Sequence, residues 1–344
     1  MRFKSFLLES NSSRKSVDID TALDFLKNSC DDYLRACSNA GDLLIFRGER
    51  SSWPLEIADS TKFIRGSANT ESWYNMWIDN SDKWKRYKFP KRLSSFICSS
   101  IFSNDYGAPK LIFPTNSCRI GVCPDADIWI SFNTRDVFEM SSIDQAQAVI
   151  FKTWKFVTDS QHDGRTLPDI KTVMRSNDKK DLDYLKTLSR TMYAELKRQL
   201  TACTLEKIVE KVEWFYATEP SSKIDDNTIE ELSEFLRSKE AARLISGDSY
   251  DLFSEDLLQL IKSMNALRLR NLAQVFDYVL DPDKTAFESL SPAEMHKVTG
   301  EKEIWVGGEC LIVEPDLIKS DEDQVKFIKF FRGYGINTAK YLED

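Results

Sequence analysis

The sequence predicts an α+β protein on three observations. Short apolar runs separated by Gly, Pro, Asn and Asp crowd the first 138 residues, long stripes at helical spacing fill 139–290, and a strongly alternating segment follows residue 300. The chain has 344 residues, which at roughly 150 residues per domain is about two folding units. Apolar residues make up 42 % and charged residues 30 %, a globular balance that excludes disordered, collagen-like and coiled-coil chains.

The elements follow in order. Leu23, Phe25, Leu26, Cys30, Tyr33, Leu34 and Cys37 share one face at helical spacing, with Gly41 as a stop. Residues 43–46 read as a buried strand that delivers Arg47 and Gly48 to its end, and 95–98, 110–113 and 120–123 read as further strands. Helical stripes then run through Ile143 to Trp154, Leu182 to Leu200, Ile229 to Leu236 and Leu257 to Val279, and their Met and aromatic positions read as core. Ser291-Pro292-Ala293-Glu294 is a capping box opening a short helix that Gly300 ends. Beyond it, Glu301, Glu303 and Trp305 point one way and Lys302, Ile304 and Val306 the other. Gly307-Gly308 then predicts a tight turn, with 310–313 returning as the partner strand of a hairpin. A helix over about 321–332 closes the chain. The expected organisation is 1–138 and 291–344 as two halves of one core, interrupted by a helical insertion at 139–290.

Composition narrows the function. A net charge of −8, from 47 Lys and Arg against 55 Asp and Glu, opposes broad binding to nucleic acid or anionic membrane while leaving room for a local basic patch. The two histidines, His162 and His296, lie far apart in sequence, so a multi-histidine metal site is not expected. Seven cysteines without a CxxC pair read as reduced thiols. Neither a signal peptide nor an apolar run of about 18 residues is present, so a soluble cytoplasmic protein without membrane contact is expected. The patterns GxSxG, GxGxxG and GxxxxGK[ST] are absent, which disfavours nucleophile-elbow hydrolases and classical dinucleotide or triphosphate folds.

Several residues could carry chemistry. A strand period of two puts Glu301 and Glu303 on one face about 7 Å apart, suited to stabilising a cationic sugar centre and orienting an acceptor; a solvated edge strand gives the same pattern. Arg47 at a strand end suits a phosphate or ribose oxygen, or simply pairs with an acid. Arg65 and Asn69, in RGSANTESWYNMW, fit a loop contacting a nucleotide or the capped start of a helix. The segment SDKWKRYKFPKRLSS interleaves Lys83, Lys85, Arg86, Lys88, Lys91 and Arg92 with Trp84, Tyr87 and Phe89, a composition shared by stacking, phosphate-binding surfaces and by solvated loops. Ser94 and Ser95 follow, in a stretch whose alternating small hydroxyls and apolar residues predict a strand.

Taken in order, the strand-end arginine (Phe46-Arg47-Gly48), the serine-rich strand (Ser94-Ser95-Phe96) and the late Glu301-x-Glu303 resemble the arginine, serine, glutamate class of mono-ADP-ribosyltransferases. RGSANT, KRLSSFICSS followed by NDYG, and TGEKEIWVGGECLIV are more closely similar to uncharacterised tailed-bacteriophage proteins of that type. The resemblance covers about 1–138 and 291–315. It implies an ADP-ribosyltransferase-like split β-sheet core, two small sheets gripping NAD⁺ between them, with NAD⁺ as substrate and no metal. By the same resemblance Arg47, with Gly48, Ser94, Arg65 and Asn69 around it, would bind NAD⁺, and Ser95 would brace the nicotinamide ribose. Glu303 would stabilise the oxocarbenium ion and Glu301 would orient the attacking group. The implied partner is a host protein, modified at arginine among other acceptors; a nucleic-acid acceptor and an inactive, virion-associated binding protein are the alternatives. The oligomeric state stays open.

Overall fold

Strand pairing organises the described part of the chain. The computed structural model describes residues 14–39, 43–48, 53–64, 73–102, 109–132, 134–138, 142–158, 182–216, 226–238 and 250–338. Among these, nine strands form one antiparallel sheet: β1 (Arg14–Ser16), β2 (Ile45–Gly48), β3 (Leu55–Asp59), β4 (Phe96–Ser99), β5 (Pro109–Pro114), β6 (Arg119–Val122), β7 (Glu288–Leu290), β8 (Glu303–Gly307) and β9 (Glu309–Val313). Their order across the sheet is β1-β3-β9-β5-β2-β4-β8-β6-β7.

This corrects two expectations. β8 and β9 are not a hairpin: β8 pairs with β4 and β6, whereas β9 pairs with β3 and β5. Gly307-Gly308 is therefore a crossing between distant strands. Gly308 has φ +136°, a region open to glycine, and a Cβ there would lie 2.7 Å from Cys118 Sγ. The second correction concerns separate sheets: the ladder is continuous, but it is thinnest at β2 and β4, which share the single pairing Phe46 with Ser99. On one side lie β1, β3, β9, β5 and β2; on the other lie β4, β8, β6 and β7.

The helices of this unit are α1 (Ile19–Ser29), α2 (Asp31–Asn39), α3 (Trp73–Asn80), α4 (Asp82–Arg86) and, near the C-terminus, Asp321–Gly333. Asp18 caps α1 by accepting from Thr21 N at 2.7 Å. Leu26, Cys30, Tyr33, Leu34 and Cys37 of α1 and α2, with the residue between them, join Phe113, Leu311 and Phe331 in one buried cluster, as the helical stripe predicts. Each such large apolar side chain contributes about 1.5–3 kcal/mol by burial. The Tyr33 hydroxyl, buried with them, accepts from Ile45 N at 3.0 Å and so ties α2 to β2. All seven cysteines are buried thiols.

The chain clusters into two compact units: Met1–Ser131, Lys171–Thr187 and Ala286–Asp344 in the first, Phe132–Ile170 and Leu188–Thr285 in the second. β7 thus belongs to the first unit although its residues fall inside the stretch predicted as an insertion. The second unit is helical: α5 (Ile143–Thr158), most of α6 (Leu182–Ala202), α7 (Leu205–Tyr216), α8 (Asp226–Leu236), α9 (Tyr250–Ala266) and α10 (Leu272–Val279); the C-terminal helix is α11. The apolar positions expected over 257–279 fall on two helices, Tyr250–Ala266 and Leu272–Val279. The chain turns at Arg268, which has φ +56°, and Asn271 caps α10 by accepting from Gln274 N at 3.0 Å.

A charged row crosses the first half of the sheet. Lys110, fully buried, lies 3.6 Å from Glu56 and 3.3 Å from Glu314, and Arg14 reaches Glu56 at 2.8 Å. Register places Arg47 directly beside Lys110. Removing one member of such a buried set strands the others, so Lys110→Met is expected to lower stability by about 3–5 kcal/mol, read as a fall in the urea midpoint at neutral pH.

Candidate functional site

The site assembles around Glu303, the first residue of β8. Its rung runs through Ser99 of β4 to Phe46 of β2, so strands 45–48, 96–99 and 303–307 are consecutive neighbours. The face that carries Glu303 also carries Trp305, two residues on, and Gly121, which pairs with Trp305. A Cβ on Gly121 would come within 3.0 Å of Trp305 and 3.3 Å of Pro90, and one on Gly307 would lie 2.6 Å from Pro90 Cβ. Glycine at both positions lets the 87–92 loop lie against the sheet.

That loop delivers Arg92 to Glu303. Arg92 Nη2 and Nε donate to Glu303 Oε1 at 2.9 and 3.3 Å, and Trp305 Nε1 donates to the same oxygen at 2.6 Å. Ile128 N donates to Oε2 at 3.2 Å. The third nitrogen of the arginine fork, Nη1, donates to Asn75 Oδ1 at 2.7 Å, and the guanidinium lies 5.5 Å from the Trp305 ring and 6.0 Å from Tyr74. Asn75 and Asp79 stand at i and i+4 on α3, every residue of which is buried. Asp79 accepts from Arg92 N at 2.7 Å and from Leu93 N at 3.0 Å, fixing the backbone that aims the arginine.

The electrostatics follow from burial and pairing. Burial pushes the Glu303 carboxyl up, but the Arg92 guanidinium, the Trp305 indole and the Ile128 amide outweigh it and hold the group below the usual glutamate range, hence ionised. Burial works against the charge on Arg92 too, and Glu303 overcomes it, so that guanidinium stays protonated. Asp79 differs: burial, only partly offset by the two backbone N–H groups, pushes it up to about 7. Cys123, whose sulfur is 3.9 Å from Glu303 Oε1, is raised well above the ordinary thiol value by burial and by that carboxylate, so it remains a thiol.

The other expected residues divide. Glu301 is exposed and precedes β8, so it does not share the strand alternation predicted for it. Arg47 is buried; its Nη1 donates to Ile97 O at 3.3 Å and its guanidinium lies over Phe96 at 5.2 Å. Because Phe46 shares the Ser99 and Glu303 rung, alternation sends Arg47 to the opposite face, and the guanidinium that meets Glu303 is that of Arg92. Ser95 is buried, bonds Lys91 O at 2.7 Å and lies 3.4 Å from the Cβ position of Gly307, at the far end of β8. Ser94 sits in the preceding 3₁₀ turn. The serines placed near Glu303 are Ser99, opposite it, and Ser100, whose hydroxyl donates to Gly300 O and accepts from Lys302 N, both at 2.8 Å. Gly48 ends β2, paired with Pro109. Arg65, Asn69 and His162 lie outside the described residues, and His296 is exposed.

Sequence reading missed Arg92 as a ligand of Glu303, along with Asn75 and Asp79. The signal available was Asn75 and Asp79, four apart on one face of a short helix whose only other polar residue is its last, Asn80. Comparison with protein-family models, curated proteins and solved structures finds no match. Among the described residues no group of three or more His, Cys, Asp or Glu is arranged to hold a metal, and no helix is long and apolar enough to cross a membrane.

Two measurements check this site. Arg92→Met leaves a buried carboxylate without its cation and is expected to cost about 3–5 kcal/mol, most of it recovered in the double variant Arg92→Met, Glu303→Met. Stability should also depend on pH in two opposed ways. The Glu303 contribution, from a depressed folded pKa, is complete above the unfolded value near 4.3 and is lost as pH falls through the folded value. Asp79, raised in the fold, keeps a proton that the unfolded chain loses between about 4 and 7, so its contribution declines as pH rises through that window. Urea unfolding across pH should therefore show a maximum on the acid side of neutrality, and Asp79→Asn should flatten the decline above it.

Proposed function

We propose that the chain is an ADP-ribosyltransferase-fold enzyme that transfers ADP-ribose from NAD⁺ to a host protein, with arginine among the acceptors, and releases nicotinamide. The observation that carries this reading is the adjacency of three strands far apart in sequence: the Arg47 strand, the serine strand ending in Ser99, and the Glu303 strand stand side by side, with Ser99 and Glu303 on one rung. The near split of the sheet between β2 and β4 adds to it, since the resemblance implies two small sheets at the nucleotide. The resemblance also implies that the protein is phage-encoded.

The residues suit NAD⁺ as substrate in one definite respect. The nicotinamide leaving group is cationic in NAD⁺ and departs neutral, so the step needs an anion beside the developing oxocarbenium ion and no general acid. Glu303 is such an anion. Oε1 is engaged by Arg92 and Trp305, while Oε2 accepts from Ile128 N and keeps a second lone pair for a ribose hydroxyl. About a tenth of its side chain is exposed. In this reading Arg92 is a positioning residue that keeps the carboxylate ionised and aimed, Ser99 or Ser100 braces the ribose, and exposed Glu301 lies on the side from which an acceptor approaches.

A second reading has a specific observation behind it. Arg47 turns to the face opposite Glu303, and a carboxylate so fully tied to Arg92 and Trp305 also fits a protein that kept the fold as a binding module. Labelled NAD⁺ incubated with the purified protein and bacterial lysate separates the two. The enzyme reading expects label transfer or nicotinamide release, lost by at least about 100-fold in Glu303→Gln when both proteins are assayed well below the thermal midpoint of the variant, which stranding Arg92 lowers. Absence of both turnover and NAD⁺ binding by calorimetry would leave the binding module.

A further inference from the structure

The segment 83–92 is built as a platform, and its construction goes beyond the NAD⁺ reading. Its apolar side chains point into the fold: Trp84 packs edge-on against Phe89 at 4.8 Å and Phe287 at 5.1 Å, and lies 6.1 Å from Trp305. Pro90 seats against Gly121 and Gly307 of the sheet. Ser289 Oγ of β7 donates to Lys88 O at 3.1 Å, and Lys88 N donates to Lys85 O at 3.1 Å. Lys88 takes φ +57°, a left-handed conformation that costs a residue other than glycine roughly 1–2 kcal/mol and that the surrounding packing holds in place.

With the rings turned inward, the charges are left outside. Lys85, Arg86, Lys88 and Lys91 are exposed, and Tyr87 between them is 44 % exposed. Arg119, also exposed, joins them from the sheet: it pairs with Gly307, and its alternation puts it on the same face as Gly121, where the loop lies. Among the described residues three acids are placed against the patch: Asp82 approaches Lys85 at 3.3 Å, buried Asp79 lies within reach of the Lys91 charge, and Glu288 is exposed on β7. Five cations against these three acids, on a chain whose net charge is −8, make this a local positive island.

The geometry points to this platform as a docking surface for single-stranded nucleic acid, with Lys85, Arg86, Lys88, Lys91 and Arg119 meeting the phosphates and Tyr87 offering a face on which a base stacks. A narrow island on an acidic protein selects a thin, flexible polyanion: a membrane plane or a rigid duplex would bring its charge against the acidic surface beyond the island, whereas a single strand follows the cations alone. A rigid loop with an aromatic among cations matches stacking combined with phosphate contact. Binding needs no NAD⁺, so it stands or falls apart from the transferase reading.

Fluorescence anisotropy with labelled oligothymidylate and oligouridylate of about 20 nucleotides tests the platform in the full-length protein. About five phosphate contacts predict a slope of log K against log salt near −3.5 for a single strand. Arg86→Ala with Lys88→Ala should reduce that slope by about 1.4 units, and Tyr87→Ala should weaken binding about tenfold with little change in slope. Arg86→Lys with Lys88→Arg should keep both affinity and slope. Lack of saturable binding at about 50 mM salt, equal affinity in the double-alanine variant with an unchanged melting profile, or tighter binding to phosphatidylserine vesicles or to a polyglutamate peptide would each overturn it.

Discussion

A carboxylate that must stay charged in the interior organises this protein. Glu303 sits at the head of β8 with 7 % of its surface exposed, and an isolated carboxylate there would be prohibitively costly. Arg92, Trp305 and the Ile128 amide remove that cost, and each comes with its own scaffolding. Arg92 is aimed by Asn75 and by the Asp79 cap on its backbone, which in turn requires α3 to be buried along its length. Trp305 is the floor on which Trp84, Phe89 and Phe287 gather. The 87–92 loop, α3 and the turn at 128–130 are thus drawn to one point of the sheet by a single negative charge.

The sheet supplies the second constraint. β8 and β9 are joined by two glycines yet belong to opposite halves, so the chain must cross where the ladder is thinnest. Gly308 N accepts this path by donating to Ser60 Oγ at 2.8 Å, while Ser60 N donates to Gly308 O at 3.0 Å. One rung between β2 and β4 then carries the continuity of the sheet. It is also the rung that brings Ser99 and Phe46 into line with Glu303, so the place where pairing is weakest is the place where the candidate chemistry is concentrated.

Local patterns were legible to the extent that one element settles them. The apolar run before Arg47 is a strand because β-branched and aromatic residues fit a pleated, buried surface, and the stripe from Leu23 to Cys37 is helical because every third or fourth residue must face the sheet. Ser291 and Glu294 form their capping box, since its partners are three residues apart. The short strands β1, β3 and β7 were missed because they carry Arg14, Lys15, Glu56, Asp59, Glu288 and Ser289, residues that a single-sequence reading assigns to loops. Glu56 and Arg14 are buried there because they meet each other and Lys110 from strands distant in sequence.

The sequence by itself determined the α+β class, helices at the apolar stripes that begin at Ile143, Leu182, Ile229 and Leu257, and strand positions for Arg47 and Glu303, because periodicity and capping depend on neighbours within a few residues. Only the tertiary structure decided which strands are adjacent, that Glu301 falls outside β8, that Ser99 rather than Ser95 stands opposite Glu303, and that Arg92 rather than Arg47 meets its carboxylate. Register across a sheet is set by long-range pairing, and a shift of one residue exchanges the two faces. No local pattern around residue 92 specifies a partner 211 positions away; burial of the charge does.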